Sequence, residues 1–127
     1  MKIAGFFQEL WPKSFGEPVG SVREYVETIP YPDSKEVTAY LLAGHELFSV
    51  MGSSADVMGS ERTILGGDSI FSDGEWIWRG DLWFYLRTYH VRLPAEFLAH
   101  ARNNNYVMPA EDEAQLTMLA KSIQKKL

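Results

Sequence analysis

The sequence predicts one α+β domain, in which a small antiparallel sheet centred on a hairpin over 69–78 packs with about five helices. Apolar residues flank an Asp-Gly pair at Asp73 and Gly74, a pattern typical of a β-hairpin. Segments on both sides of this hairpin have helix-capping signals and the apolar spacing of helices. A chain of 127 residues with 46% hydrophobic residues has the size and composition of a single domain, residues 1–127.

Two helices are predicted ahead of the hairpin. Ser21 opens a capping box, which predicts a short helix over 22–29 that stops at the following proline. Asp33 repeats the signal and predicts a second helix to about Ala43. Gly44 then lies where a left-handed C-terminal cap is wanted.

The predicted strands lie in the middle of the chain, over 46–51 and 62–65 with a loop at 52–56, and in the hairpin. A two-residue turn at the Asp-Gly pair would place Ser72 opposite Glu75. Because side chains alternate along a strand, each face of the hairpin then carries its own apolar set. One face holds Phe71, Trp76 and Trp78, and the other holds Ile70 and Ile77. Both faces are therefore expected to be covered by helices or by a partner.

Three helices are predicted after the hairpin. Asp81 caps the first, which runs to about His90, and Pro94 lies in the first turn of the second. The third opens at Pro109, and acidic residues near its start and lysines near its end complement the helix dipole. Its buried stripe is predicted to consist of Leu116, Leu119, Ile123 and Leu127.

The charge balance and the missing cysteines exclude several classes of partner and site. Lysine and arginine total 12 and aspartate and glutamate total 17, so the net charge is −5. Nucleic acids and anionic membranes require clustered positive charge, so neither is expected as a partner. Without cysteine, the chain has no disulfides and no thiolate metal sites. No segment has the apolar length of a signal peptide or a membrane span, so a cytoplasmic location is expected.

Motifs for catalysis, metals and cofactors are sparse. The histidines His45, His90 and His100 lack the spacing of a metal-binding pair on one helix, so no metal is expected. Gly66 and Gly67 have no P-loop lysine after them. No dinucleotide fingerprint is present either, so no cofactor is expected.

The segment after the hairpin contains two features with competing interpretations. Arg79-Gly80-Asp81 matches the tripeptide read by adhesion receptors, but its place between a strand and a helix favours a capping role for Asp81. Trp83 lies about 100° from Leu82 on the helical wheel, beside Arg87. Exposed Trp and Arg anchor protein interfaces, so an interface role is predicted for this pair.

A long pattern links the chain to other proteins. It consists of YLLAG at 40–44, DV at 56–57, SDGEWIW at 72–78, DLWFYL at 81–86 and YHVRLPAEF at 89–97. The pattern resembles a group of short, uncharacterised bacterial cytoplasmic proteins with the motif DGxWxW…DLxxYxxxY…LPxxF, over roughly residues 21–100. Trp83 stands where that group has a smaller residue. The group is similar to the small acidic immunity proteins that accompany polymorphic toxins, which implies a partner that the chain neutralises.

The hypothesis from the sequence is a non-enzymatic protein-binding module, an immunity protein that neutralises a cationic bacterial toxin. An acidic surface would speed association with such a target. The residues predicted at the contact are Asp56, Asp68, Trp83 and Arg87. Two alternatives remain: an interaction or scaffold protein that forms a homodimer through its aromatic face, and a small hydrolase that uses His45 with Asp68 or Asp73.

Overall fold

The computed structural model describes residues 1–127. Its strands and helices follow in the order β1 (Lys2–Ile3), α1 (Ser34–Leu42), β2 (His45–Phe48), β3 (Ser53–Ala55), β4 (Thr63–Leu65), β5 (Ile70–Ser72), β6 (Trp76–Arg79), α2 (Leu82–Tyr89), α3 (Ala95–Asn103) and α4 (Glu113–Gln124). Two single 3-10 turns, Lys13–Phe15 and Val22–Tyr25, precede α1. The α+β class is confirmed, with four α-helices where about five helices were expected.

The main sheet has four strands in the order β1-β6-β5-β2, and β3 and β4 form a separate ribbon. The sheet is mixed, not antiparallel as predicted, because β1 pairs in parallel with β6. Two residues of β1 give no alternation to read, so the sequence did not indicate this strand. The ribbon also corrects the predicted loop at 52–56, where Ser53–Ala55 pairs with Thr63–Leu65. Small polar residues gave no strand signal there.

The hairpin is confirmed, but its register is displaced by two residues from the prediction. Ser72 lies opposite Ile77, and Phe71 lies opposite Trp78. The turn is longer because the carboxylate of Asp73 accepts the backbone N–H groups of Glu75 and Trp76, at 2.9 and 2.7 Å. A shift by two preserves the alternation of side chains, so the predicted division of apolar residues between the two faces holds.

Helices α1 and α3 cover the aromatic face of the sheet. The Phe97 ring lies 5.5 Å from that of Trp76 and 5.6 Å from that of Trp78, centroid to centroid. The indole of Trp78 donates to the carbonyl of Leu41 at 3.1 Å. Gly44 is not a left-handed cap, and its role is close packing, because a Cβ there would lie 2.6 Å from the Trp78 ring. Trp76 and Trp78 of the aromatic face are therefore enclosed by the chain's own helices.

The N-terminal segment covers the opposite face. The guanidinium of Arg79 donates to the carbonyl of Leu10 at 2.6 Å, and Trp11 and Phe15 line the same groove as Ile70. Trp11 donates to the carbonyl of Gly5 at 3.2 Å, which folds this segment back on itself. Both faces are thus buried, as the two-sided apolar pattern predicted.

Two helices differ from their predictions. The capping box of Ser21 forms, but only one 3-10 turn follows, because the carbonyl of Tyr25 accepts the N–H of Arg92 and the chain continues extended. In α4 only Leu116 and Ile123 of the predicted stripe are buried. Leu127 is exposed because the helix ends before it. No helix combines the length and the apolar character that a membrane crossing needs.

Candidate protein-binding surface

A cleft of about 450 Å³ lies where β2, the β4–β5 turn and the start of α2 meet. The rings of Phe71, Trp78 and Trp83 form part of its wall. Its rim carries four apolar side chains that are strongly exposed: Leu42, Val50, Met51 and Leu65, at 61, 42, 96 and 84% of their full accessibility. We call this feature the apolar cleft. Contiguous exposed apolar surface of this kind marks interaction sites.

Close backbone packing positions the wall of the apolar cleft. Gly80 separates β6 from α2, and a Cβ there would lie 2.5 Å from the carbonyl oxygen of Gly66. The N–H groups of Gly80 and Asp81 donate to the carbonyls of Ser69 and Gly67, at 2.7 and 3.1 Å. The turn before β5 and the start of α2 are therefore joined, and this junction fixes Trp83 at the cleft.

A buried ion pair supports the same junction. Arg79 donates from Nε and Nη2 to the two carboxylate oxygens of Asp81, at 3.0 and 2.8 Å, and Ser54 Oγ donates to Asp81 at 3.1 Å. The Asp81 side chain is fully buried. Burial acts to lower the pKa of Arg79, but the hydrogen bonds and charge of Asp81 outweigh it and raise that pKa.

This pair settles two predictions about the tripeptide at 79–81. Asp81 precedes α2 but makes no side-chain capping bond, because its carboxylate is taken by Arg79 and Ser54. The predicted side-chain cap is therefore wrong. The two charged side chains that an adhesion receptor would read bind each other inside the protein.

The free charges at the apolar cleft are negative. Glu46 is exposed on β2 and lines the cleft, and it forms no ion pair. Asp68 is exposed on the adjoining groove that Trp11, Phe15 and Ile70 line on the other face of the sheet, and this groove shares Val50 and Arg79 with the cleft. Arg79 is the one cation among the residues that line them, and Asp81 neutralises it. An apolar surface with two free carboxylates suits an apolar partner that carries positive charge.

Of the four predicted contact residues, the structure brings Asp68 and Trp83 to this surface. Asp68 lines the groove beside the apolar cleft, and the half-buried ring of Trp83 lines the cleft itself. Arg87 is exposed one helical turn after Trp83, but it lines a different groove near the start of α1. The predicted set is thus divided between two surfaces.

Asp56, the fourth residue, is buried and holds a loop together. Its carboxylate accepts the N–H groups of Met58 and Ser60, the hydroxyl of Ser60 and the phenol of Tyr89. Burial acts to raise the pKa of Asp56, but these hydrogen bonds outweigh it and lower that pKa. A carboxylate with this many donors has no free oxygen for a partner.

The residues of the hydrolase alternative are separated. His45 pairs with Ser72 at one end of β5, whereas Asp68 lies in the turn before the other end. The Nε2 atom of His45 lies 2.8 Å from the carbonyl of Pro109. Asp73 is occupied by the turn and by Tyr40, which donates to it at 2.6 Å. Asp73 follows Ser72, the strand partner of His45, but His45 makes no hydrogen bond or ion pair with Asp73 or with Asp68.

A cluster of polar groups that the sequence did not indicate closes the hairpin turn. His100 of α3 lies between two carboxylates, with Nε2 3.2 Å from Asp73 and Nδ1 3.0 Å from Glu75. Tyr40 also contacts Asp73, and burial together with that carboxylate raises the pKa of its phenol. We call these four residues the hairpin clasp. Its members come from α1, the turn and α3, so no local spacing could reveal it.

The apolar rim was likewise missed by the sequence interpretation. Leu42, Val50, Met51 and Leu65 each belong to or flank an element that was assigned as structural. Val50 and Met51, directly before Gly52, were the one available signal, because two apolar residues ahead of a glycine loop need not enter a core. A single chain does not distinguish that case from the end of a buried strand.

No group of three or more histidine, aspartate or glutamate side chains is arranged to hold a metal ion. Comparison with protein-family models, with curated proteins and with solved structures gave no match.

Proposed function

We propose that this chain is a non-enzymatic protein-binding module whose apolar cleft binds a basic partner protein, in the manner of an immunity protein that neutralises a cationic bacterial toxin. The observation that carries the proposal is the exposed rim of the apolar cleft beside two unpaired carboxylates. Apolar side chains held in water are costly unless a partner covers them.

The surface has the parts that protein interfaces use. Trp83 offers a large half-buried ring that a partner could finish burying, and tryptophan is enriched among residues that dominate binding energy. Leu42 and Leu65 surround it and would exclude water from the contact. Glu46 lines the apolar cleft and Asp68 the adjoining groove, and charges at the edge of a contact act on association rate more than on affinity.

The proposed mode of action is steric. A binder of this size neutralises an enzyme by covering the cationic site through which that enzyme holds its substrate. The net charge of −5 would steer such a partner toward the chain over a range set by the salt concentration.

The test is affinity capture from the source organism's lysate with matched variants. Leu65→Asp places a charge on the rim of the apolar cleft. Ile29→Asp places the same charge at another exposed aliphatic residue, since Leu65 and Ile29 have 84 and 79% of their full accessibility. We expect one stoichiometric basic protein on the unmodified chain and on Ile29→Asp, and its loss on Leu65→Asp. Equal capture by both variants would show that the apolar cleft is not the contact.

The charge component is tested separately with the captured partner. The double variant Glu46→Gln with Asp68→Asn should slow association several-fold at low salt and have little effect at high salt. Removing two unpaired carboxylates elsewhere, Glu17→Gln with Glu96→Gln, is the control. If both pairs slow association equally, the net charge and not the cleft's own carboxylates guides the partner.

A further inference from the structure

A second groove, of about 300 Å³, lies between the start of α1 and the end of α2. Its lining consists of Pro30, Pro32, Ser34, Lys35, Arg87 and His90, with no apolar side chain other than the two prolines. We propose that this cationic groove binds a phosphate group, as the free anion or as a monoester. A binding site for an anion is independent of the apolar cleft and of its cationic partner.

The two permanent charges of the cationic groove are unpaired. Other arginines on the same side of the chain are neutralised: Arg92 by Glu27 at 2.7 Å and Arg102 by Asp33 at 2.8 Å. Lys35 and Arg87 contact no carboxylate within ion-pair distance. In a chain with net charge −5, two free cations converging on one groove mark it for a negative ligand.

The start of α1 adds backbone donors to the same groove. Asp33 precedes the helix but makes no capping bond, because Arg102 and Tyr106 hold its carboxylate. The backbone N–H groups of Lys35 and Glu36 therefore have no acceptor within the chain. Free N–H groups at a helix start bind anions, and the helix dipole favours negative charge there.

His90 supplies a further donor from an unusual backbone position. It ends α2 in the left-handed conformation, with φ 54° and ψ 40°, which a non-glycine residue adopts at a cost. Its Nδ1 atom is sealed from solvent without a hydrogen-bond partner. In the tautomer that carries the proton on Nε2, His90 offers a donor that makes no hydrogen bond within the chain.

Two carbonyls in the last turn of α2 are already occupied by N–H groups of the chain. The carbonyl of Leu86 accepts the N–H of His90, and that of Tyr89 accepts the N–H of Glu27. These two acceptors are thus directed into the protein. The donors left facing the groove differ in kind: an ammonium, a guanidinium, an imidazole and helix N–H groups. A tetrahedral oxyanion accepts from all of them, and its charge favours phosphate over a carboxylate.

Chemical-shift titration of the full chain with inorganic phosphate, at fixed ionic strength, tests the site. We expect saturable shifts of the Lys35 and Glu36 amides and of the His90 ring. The double variant Lys35→Gln with Arg87→Gln should bind about tenfold more weakly or worse, because charge-assisted hydrogen bonds are lost. Lys121→Gln on α4 with Lys125→Gln directly after that helix removes the same charge from exposed lysines and should change nothing.

Three outcomes would overturn the proposal: no saturable shift, shifts outside the cationic groove, or equal weakening in both double variants. Phosphoserine in place of inorganic phosphate identifies the source of the ligand. Tighter binding of phosphoserine supports the site as one for a phosphorylated molecule, and tighter binding of inorganic phosphate supports it as one for the free anion. Should the double variant not fold, Lys35→Gln alone gives the same comparison against Lys121→Gln.

Discussion

The two ends of the β5–β6 hairpin differ in whether carboxylates have partners within the chain and whether apolar side chains are buried. At the turn, Asp73 accepts two backbone N–H groups and the phenol of Tyr40, and His100 lies against it. At the open end, Asp68 and Glu46 have no ion-pair partner, and apolar side chains stand in solvent around Trp83. The contrast shows that an acidic residue in this fold is informative about binding only where the chain leaves it unsatisfied.

The largest expected effect comes from the buried pair under the open end. Asp81→Ala leaves the Arg79 guanidinium buried without its carboxylate, which we expect to cost about 3–5 kcal/mol of unfolding free energy. Urea denaturation measures it. Arg79→Met with Asp81→Asn removes both charges and should recover much of the loss. A cost below about 1 kcal/mol for Asp81→Ala would show that water already solvates the pair.

Substituting two tryptophans compares the enclosed part of the aromatic face, at Trp76, with the apolar cleft, at Trp83. Trp76→Ala removes a ring enclosed by Phe97 and should cost about 3–5 kcal/mol. Trp83→Ala removes a half-buried ring and should cost about 1 kcal/mol while weakening partner capture. Thermal and urea unfolding give both values. Similar costs for the two would make Trp83 a core residue and remove it from the proposed contact.

The hairpin clasp is expected to contribute less. Tyr40→Phe deletes the hydroxyl that donates to Asp73 and should cost about 1 kcal/mol, because the backbone N–H groups still serve that carboxylate. Chemical denaturation at neutral pH measures the cost. Capture of the partner should be unchanged, since the clasp lies at the other end of the hairpin. Loss of capture would mean that the two ends are coupled.

The last expected effect is confined to acid pH. Hydrogen bonds from Arg102 lower the pKa of Asp33 to about 2, below the value of about 3.9 in an unfolded chain. Asp33 therefore stabilises the fold above pH 4, and this contribution is lost as the pH falls through about 2. Asp33→Asn should flatten the stability profile between these values. An unchanged slope of stability against pH would mean that another group accounts for the loss of stability in acid. Asp56→Asn is the comparison, because the pKa of Asp56 is also lowered.

The sequence predicted the elements whose signals are local. The Asp-Gly pair and the apolar spacing of α2 act within a few residues, and the hairpin and the helix that they predict both formed. The capping box at Ser21 also formed, but one 3-10 turn follows it where a helix over 22–29 was predicted. The register of the hairpin did not follow, because the side chain of Asp73 lengthened the turn by bonding the backbone. Strands β1 and β3 are too short to show a period, and their partners supply the pairing.

Only part of the candidate site could be predicted from the sequence, for a related reason. Trp83 was predictable because its helix already had a buried face without it. Asp56 looked as free as Asp68, since the donors that occupy it include Tyr89, which lies 33 positions away. The apolar rim arises from segments that meet only in the fold. The exposure of these side chains depends on how the segments pack together, so residue type alone does not predict it.

Site-specific photocrosslinking in the native lysate would show whether the apolar cleft contacts a basic partner protein. A benzophenone side chain would replace Leu65 at the rim of the apolar cleft and, in the control, Ile29 on the distant surface. We expect one covalent adduct to a basic protein from position 65, reduced by added salt, and none from position 29. Adducts of equal yield from both positions, or an acidic protein at position 65, would contradict it.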